Sequence, residues 1–401
     1  MSLPRAKRMH AQEWLYDRLI QASGPDFYWG MTARALRTVG ADGVGDIQSI
    51  RSSIKKFVDI TRELQRLGRK REAMAKKAEV EGHLITARQN YFAAAAYYIF
   101  AQGPIHEDDN AVNLELSASK NACYGKFIQY AAHRIEKVEI PFGKTSLPGY
   151  LHFPSGASGK APCIVCIGGM DVFKEMIVTS PSDKFLERGL AVLAIDGPGQ
   201  NEAIISRKIR CTEDNFITAG EEAMNYLRAR ADIDPERIGI FGNSMGTFWI
   251  TQIVAHDHRY RAAAGTHVCH ESGMHTIFNL AIPVFKDRFM WMAGYDDEGE
   301  FDRFAEKLTL EGLGAKITCP YLSAAGEDDD LSPIEWTYKL HDEIKAPNTL
   351  LVYKGEGHGL ADAMDVSATI ADWMNDRFDG KPLESRRIYM ERRTGQEVKH
   401  A

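Results

Sequence analysis

At 401 residues the chain exceeds one ordinary core and calls for about two domains. With 44% hydrophobic and 26% charged residues it is neither a disordered polymer nor a membrane-embedded one, and a net charge of −6 gives no reason to expect nucleic acid as a partner.

Residues 1–136 carry several helical signals and almost no strand signal. Met1–Arg8 is basic, but Met9–Trp14 is not the apolar run of a secretion signal, and the most apolar helical stretch, Tyr91–Ala101, is too short to span a bilayer. A cytoplasmic location without membrane attachment is therefore expected. Ile50, Ile54, Phe57, Val58 and Leu64 recur at helical spacing, and Tyr91, Ala94, Ala95 and Tyr98 form an i, i+3, i+4, i+7 face. The basic residues Arg62, Arg66, Arg69, Lys70 and Arg71 alternate with Glu63 and Glu72, which predicts a solvated helix face and not a nucleic-acid patch. Gly40-Ala41-Asp42-Gly43-Val44-Gly45 faintly resembles a dinucleotide loop; with no strand before it, it reads as a helix–helix connection.

From Lys137 the pattern changes to alternation, with a hairpin turning at Gly143-Lys144, so the domain boundary falls near residue 136. Pro162–Ile167 is a buried strand opening into Gly168-Gly169-Met170-Asp171. Its Cys163 and Cys166 face opposite sides of that strand, and the six cysteines of the chain read as reduced core thiols. Ala191–Ile195 is a further strand, ending in Asp196-Gly197-Pro198-Gly199-Gln200-Asn201-Glu202, which reads as a plain Gly-Pro turn with no direct chemical role. The run Ile238–Phe241 then leads into Gly242-Asn243-Ser244-Met245-Gly246, a G-x-S-x-G pentapeptide in a strand–turn–helix context. A serine held there at strained φ/ψ leaves no room for a Cβ two residues to either side, which is the work of Gly242 and Gly246.

An activated serine needs a base and an acid that orients it. Cys319–Ala325 reads as a strand running into a carboxylate-laden turn, Glu327 to Asp330, where Asp329 is the chosen acid; Asp328 and Asp330 remain alternatives, and a solvated acidic turn or a loop calcium site is the bland reading. The next strand, Thr349–Tyr353, ends in a flexible loop that places His358 between glycines as the general base, a surface histidine being the alternative. The backbone N–H groups of Met245 and Met170 are the expected oxyanion donors. Between nucleophile and acid lies an insertion, about 266–313. Its His270 and Glu271 read either as a polar pair acting on the substrate or as a loop-fixing pair, and Phe285, Phe289 and Trp291 either as core or as lining of an apolar cavity. From Gly380 onward the chain reads as a polar, basic surface tail, 380–401, able to dock a partner subunit.

Gly168-Gly169-Met170-Asp171 followed by Lys174-Glu175, Asp196-Gly197-Pro198-Gly199-Gln200, and the helical segment ahead of the core together resemble one branch of the α/β-hydrolase superfamily, over about Val138 to Phe378. That branch contains 2,6-dihydroxypseudooxynicotine hydrolase, fungal polyketide-shortening hydrolases and the fermentation-respiration switch esterase. The resemblance implies a doubly wound α/β core (137–379) and a Ser-His-Asp triad carried by Ser244, His358 and Asp329. It also implies an N-terminal helical lid (1–136); since the triad edge of the sheet must exclude water and bury the ligand, those helices are expected to bring Phe27, Tyr28 or Trp29 to the pocket. Asn201 departs from the pattern, which usually has glycine there. The expected protein is a serine hydrolase of a small molecule, homodimeric, needing no cofactor and no metal. It cleaves a carbon–carbon bond beside a carbonyl, in an aryl ketone or β-dicarbonyl compound; a carboxylesterase on a small apolar or aromatic ester is the alternative, and a ligand receptor on a hydrolase scaffold is the alternative of another class.

Overall fold

The computed structural model describes residues 5–28, 30–156, 159–179, 183–360, 366–391, 394 and 396–398. Their contacts divide into two units, one built on Glu136–Lys174 and the chain from Lys184 onward, the other on the chain up to Ile135 together with Glu175–Asp183.

The second unit is helical: α1 (Arg5–Ser23), α2 (Met31–Val39), α3 (Ala41–Arg51), α4 (Phe57–Val80), α5 (Leu84–Gln102) and α6 (Ala111–Gln129). At its centre, α5 is buried without interruption from Asn90 to Gln102 and packs against α4 and α6. An apolar helix of this kind has no solvent face to show. Two local expectations are corrected. Ile50 and Phe57, read as recurring at helical spacing, lie on either side of a break, because the Asp59 carboxylate accepts the backbone N–H groups of Lys55 (3.0 Å) and Lys56 (2.9 Å) and so starts α4 there. The glycines after Gly40 are not a connection but the first turn of α3. Gly43 packs so closely on α2 that a Cβ would lie 2.6 Å from the Ala35 carbonyl oxygen. The basic face of α4 is exposed and ion-paired at Arg62, Arg66 and Arg69, but Arg71 is buried, donating to Asp46 (2.6 Å) and Asn90 (3.0 Å), while Tyr97 donates to the same Asp46 carboxylate (2.8 Å).

The first unit is one ten-stranded sheet, formed by β1 (Ile135–Phe142), β2 (Thr145–His152), β3 (Ala161–Ile167), β4 (Ala191–Ile195), β5 (Ile233–Asn243), β6 (Ala263–Thr266), β7 (Tyr321–Gly326), β8 (Asn348–Lys354), β9 (Arg386–Glu391) and β10 (Glu397–Val398). Their order is β1-β2-β4-β3-β5-β6-β7-β8-β9-β10. Neighbours are parallel from β4 through β9, and the β2/β4 and β9/β10 pairs are antiparallel. The central strands are apolar along their whole length, as strands covered on both faces must be. Their covering helices are α7 (Asn201–Ile205), α8 (Asn215–Arg228), α9 (Met245–His256), α10 (Val284–Ala293), α11 (Glu298–Ala305), α12 (Ile334–Glu343) and α13 (Val366–Phe378). Strand order reverses at β3, with β4 on one side and β5 on the other. The carboxyl edge at such a switch point is where a doubly wound sheet offers a ligand crevice. The expected surface tail is corrected too: 386–391 extends the sheet as β9, parallel to β8, with Ile388 and Tyr389 buried. Three apolar residues, Ile388, Tyr389 and Met390, are all that mark it between charges, a run too short to stand out as a strand in a polar segment. Among the described residues no helix is long and apolar enough to cross a membrane.

Candidate active site

Chain direction changes sharply at Ser244, between β5 and α9, with the serine at φ 52°, ψ −129°. A side chain rarely adopts that conformation, and the neighbours hold it there. A Cβ on Gly242 would lie 2.5 Å from the Gly246 carbonyl oxygen, and one on Gly246 would lie 2.3 Å from that of Ile167. The Ser244 N–H donates to Thr266 O on β6 (3.1 Å), while Ser244 O accepts from the Thr247 N–H (2.8 Å) and the Thr247 hydroxyl (2.7 Å).

The loops after β7 and β8 bring the other two residues to it. A Cβ on Gly326 would lie 2.3 Å from Glu356 O, so the two turns pack backbone on backbone; Asp328 N donates to Glu356 O at 2.9 Å. His358 Nε2 is 3.0 Å from Ser244 Oγ, and its Nδ1 is 2.9 Å and 3.2 Å from the two Asp329 carboxylate oxygens. An ionised carboxylate only accepts, so Nδ1–H donates to Asp329 and Nε2 is left to accept the serine proton. Asp329 Oδ1 also accepts the N–H groups of Leu331 (2.8 Å) and Ser332 (2.9 Å). Asp328 and Asp330 are exposed, whereas the Asp329 side chain is fully buried, so of the three carboxylates it is Asp329 that meets the histidine. Sequence reasoning missed His267. It follows β6 directly at φ 53°, its Nε2 lies 3.1 Å from Gly359 O, and its ring centroid is 6.2 Å from that of His358.

Gly169 lies against the serine: a Cβ there would be 2.9 Å from Ser244 Cβ and 3.5 Å from its Oγ. The amide that follows is that of Met170, and α9 begins with the amide of Met245. Among the described residues neither amide donates to a protein acceptor. A developing oxyanion requires N–H donors that are free of other acceptors.

His270 and Glu271 are both buried but do not pair with each other. The His270 N–H donates to Ser332 Oγ (3.0 Å), and its Nδ1 lies 3.1 Å from Thr337 Oγ1. Burial, with His341 nearby, pulls the His270 pKa down to about 3, so the ring is neutral at physiological pH. The Glu271 carboxylate accepts from the Thr276 N–H (2.8 Å) and hydroxyl (3.0 Å), fixing its own loop. Phe289 is buried in an aromatic cluster with Trp249, Phe278, Phe301 and Phe304; Trp291 is buried in the same core and Phe285 packs at its margin. In the helical unit, Phe27 rests against Tyr16 and Tyr28 against Phe57. Trp29 lies outside the described residues. The Asp196–Glu202 stretch is no plain turn. Asp196, Gln200, Asn201 and Glu202 are buried, Asp196 and Glu202 pair with Lys174 (3.1 Å and 2.7 Å), and Asn201 takes φ 34°, a left-handed conformation that glycine adopts at no cost. Among the described residues no cluster of three His, Cys, Asp or Glu side chains is arranged to hold a metal ion.

A family model described as esterase FrsA-like matches residues 67–377. The chain is 23% identical over 311 residues to 2,6-dihydropseudooxynicotine hydrolase of Paenarthrobacter nicotinovorans, covering 76% of this chain and 81% of that protein. It is 26% identical over 209 residues to the hydrolase phmG of Phaeosphaeria nodorum, covering 48% of this chain and 47% of that protein. The match spans about half the length of the first such fungal relatives. Among solved structures, that of 2,6-dihydroxy-pseudo-oxynicotine hydrolase superposes with a TM-score of 0.76 at 21% identity, over 89% of this chain and 98% of that one. The shared fold is that of the α/β-hydrolases.

Proposed function

The chain belongs to the FrsA-like esterase family, an α/β-hydrolase enzyme family, and on that premise we propose that it is a serine hydrolase in which Ser244 is the nucleophile, His358 the base and Asp329 the orienting acid. The observation that carries the reading is the unbroken run of hydrogen bonds from Ser244 Oγ through the His358 ring to Asp329. Ser244 Oγ bonds to the substrate carbonyl carbon as its proton passes to His358 Nε2, and the resulting oxyanion rests on the Met170 and Met245 amides. When the tetrahedral adduct collapses, the bond to the leaving group breaks and the electron pair leaves with it. His358 returns its proton to that group, and water repeats the sequence to release the acid and restore Ser244. In this reading the helical unit serves as a lid that excludes water, and the enzyme works as a cytoplasmic homodimer.

For the bond, we favour a carbon–carbon bond beside a carbonyl, in an aryl ketone or β-dicarbonyl compound. The likeness to 2,6-dihydropseudooxynicotine hydrolase supports this, with the resemblance to a branch that includes carbon–carbon hydrolases. A carbanion leaving group needs a proton at carbon. His270, neutral and deeply buried, has no ionised proton to give at pH 7, so the donor in this reading is the His358 imidazolium formed in the first step. The second reading, a carboxylesterase, is favoured by the description of the matching family.

A panel of aryl esters and a panel of β-diketones, each run on wild type and Ser244→Ala, separates the readings. Turnover in one panel names the bond, and Ser244→Ala should lose it by roughly a million-fold while still binding. Tight binding with no turnover in either panel would point to a ligand receptor. Fluorophosphonate labelling of Ser244→Ala at the wild-type rate, seen by intact mass, would put the nucleophile elsewhere.

A further inference from the structure

A peptide unit is planar and trans, so the carbonyl of one residue and the N–H of the next point in opposite directions from one rigid plane. Whatever fixes the carbonyl therefore aims the N–H. The two amides proposed to receive the oxyanion, Met170 N–H and Met245 N–H, share their planes with Gly169 O and Ser244 O. Both carbonyls are gripped from behind by a buried side chain. Gln200 Nε2 donates to Gly169 O (2.9 Å) and also to Gly168 O (2.8 Å); Thr247 Oγ1 donates to Ser244 O (2.7 Å). Both side chains are completely buried.

Each donor is itself held in orientation. Gln200 Oε1 accepts the Gly197 N–H (2.7 Å), which fixes which end of the amide faces the loop, and Thr247 Oγ1 accepts the Cys269 N–H (2.8 Å), which leaves the hydroxyl proton for Ser244 O. Around Gln200 the same loop is gripped twice more. Arg288 Nε donates to Met170 O (2.7 Å) and Asn201 Nδ2 to Val172 O (2.8 Å), while Arg288 Nη2 reaches Asn201 Oδ1 (3.0 Å). Asn201 holds this place at φ 34°, where a glycine would relieve the backbone; its side chain is what the strain retains.

We propose that Gln200 and Thr247 are positioning residues of the oxyanion site, each fixing from behind the peptide whose N–H faces the reacting oxygen. Donation to a carbonyl also polarises its peptide, so the opposite N–H becomes a stronger donor as well as a better-aimed one. The gain is greatest where charge is greatest, in the tetrahedral adduct, so kcat should carry the effect and KM should not. The inference rests on the assignment of Ser244 as nucleophile.

The test uses the full-length protein with Gln200→Met and Thr247→Val, which keep side-chain volume and remove the donor, and Thr247→Ser, which restores the hydroxyl. Three measurements are made: p-nitrophenyl butyrate hydrolysis, inhibition by phenyl trifluoromethyl ketone, which adds a serine oxygen and becomes an oxyanion, and inhibition by the corresponding trifluoroethanol, which cannot. Gln200→Met and Thr247→Val are expected to lower kcat by about 10- to 100-fold with KM within about threefold, a smaller loss than deleting an oxyanion donor outright. Ketone affinity should weaken in step with kcat, alcohol affinity should not move, and Thr247→Ser should recover most of the rate. Wild-type kcat and ketone affinity in a folded variant overturns the proposal. So does equal weakening of ketone and alcohol, which would mean general loosening. Should Gln200→Met not fold, the Thr247 pair decides alone. Absence of fluorophosphonate labelling at Ser244 in wild type is a different failure: it removes the nucleophile assignment, and the proposal with it.

Discussion

Asp329 is turned toward His358 by contacts that its two acidic neighbours lack. Asp328-Asp329-Asp330 is one acidic run, in which Asp329, three residues past Gly326, is the expected acid and its two neighbours remain alternatives. The structure separates them by burial and by the Leu331 and Ser332 amides that turn one carboxylate inward. Asp329→Asn should lower kcat about ten-thousand-fold by stabilising the wrong His358 tautomer, whereas exposed Asp328→Asn should stay near wild type; the reverse result in a steady-state assay would mean the wrong carboxylate had been chosen. Two other histidines contribute to acid stability. Burial holds His270 at about 3 and His341 at about 4, both below the ordinary 6.5. The unfolded chain therefore takes up these protons first, so the stability they permit is complete above pH 6.5 and is lost as pH falls toward 4 and then 3. His341→Gln, which can still meet Asn348, should flatten the fall of Tm between pH 6.5 and 4. An unchanged slope would exclude His341 as a source of it.

Elements were legible where periodicity is strong and illegible where a contact far along the chain decides. The order Ser, Asp, His could be read because each residue ends a run of apolar strand. The grip of Gln200 on Gly169 could not, since a side chain bonded to backbone oxygen leaves no pattern in composition. Helix α4 gives a case in the other unit. Near its end Glu79 accepts hydrogen bonds from Lys126 on α6 (2.7 Å), from Tyr130 just past it (2.6 Å) and from Tyr91 on α5, so one carboxylate ties three helices. The Lys126 bond first, then the two tyrosines, holds its pKa at about 2 against an ordinary 4.5. The sign follows: the stabilisation is present above about pH 4.5 and disappears as pH falls toward 2. Glu79→Gln should therefore lower Tm at pH 7, and the gap to wild type should close as the pH approaches 2. A gap that stays constant with pH would show that shape, and not charge, binds these helices.

At the scale of the whole molecule, neither unit is a continuous stretch of chain. Glu175–Asp183 leaves the hydrolase unit just after Lys174 and belongs by its contacts to the helical one. Its first residue, Glu175, is paired with Lys120 of α6 at 2.6 Å, with both side chains essentially inaccessible. No reading of the sequence could anticipate a pair 55 residues apart. Removing one member of such a pair leaves an uncompensated charge in a dry interior and costs about 3–5 kcal/mol, whereas replacing both by apolar groups is often nearly neutral. Lys120→Met should then destabilise markedly in urea unfolding, and Lys120→Met with Glu175→Leu should recover most of the loss. Deleting residues 1–135 is the stronger experiment. It strips Glu175–Asp183 of the helices it packs with and strands that segment directly downstream of the loop that carries Met170. The truncated protein should accordingly be insoluble, or soluble but inactive, and in the soluble case the loss should fall on kcat/KM for the preferred substrate. A soluble 136–401 fragment with undiminished kcat/KM would defeat the lid proposal and leave the helical unit an oligomerising role, which light scattering on the two forms would then have to show as a change in mass.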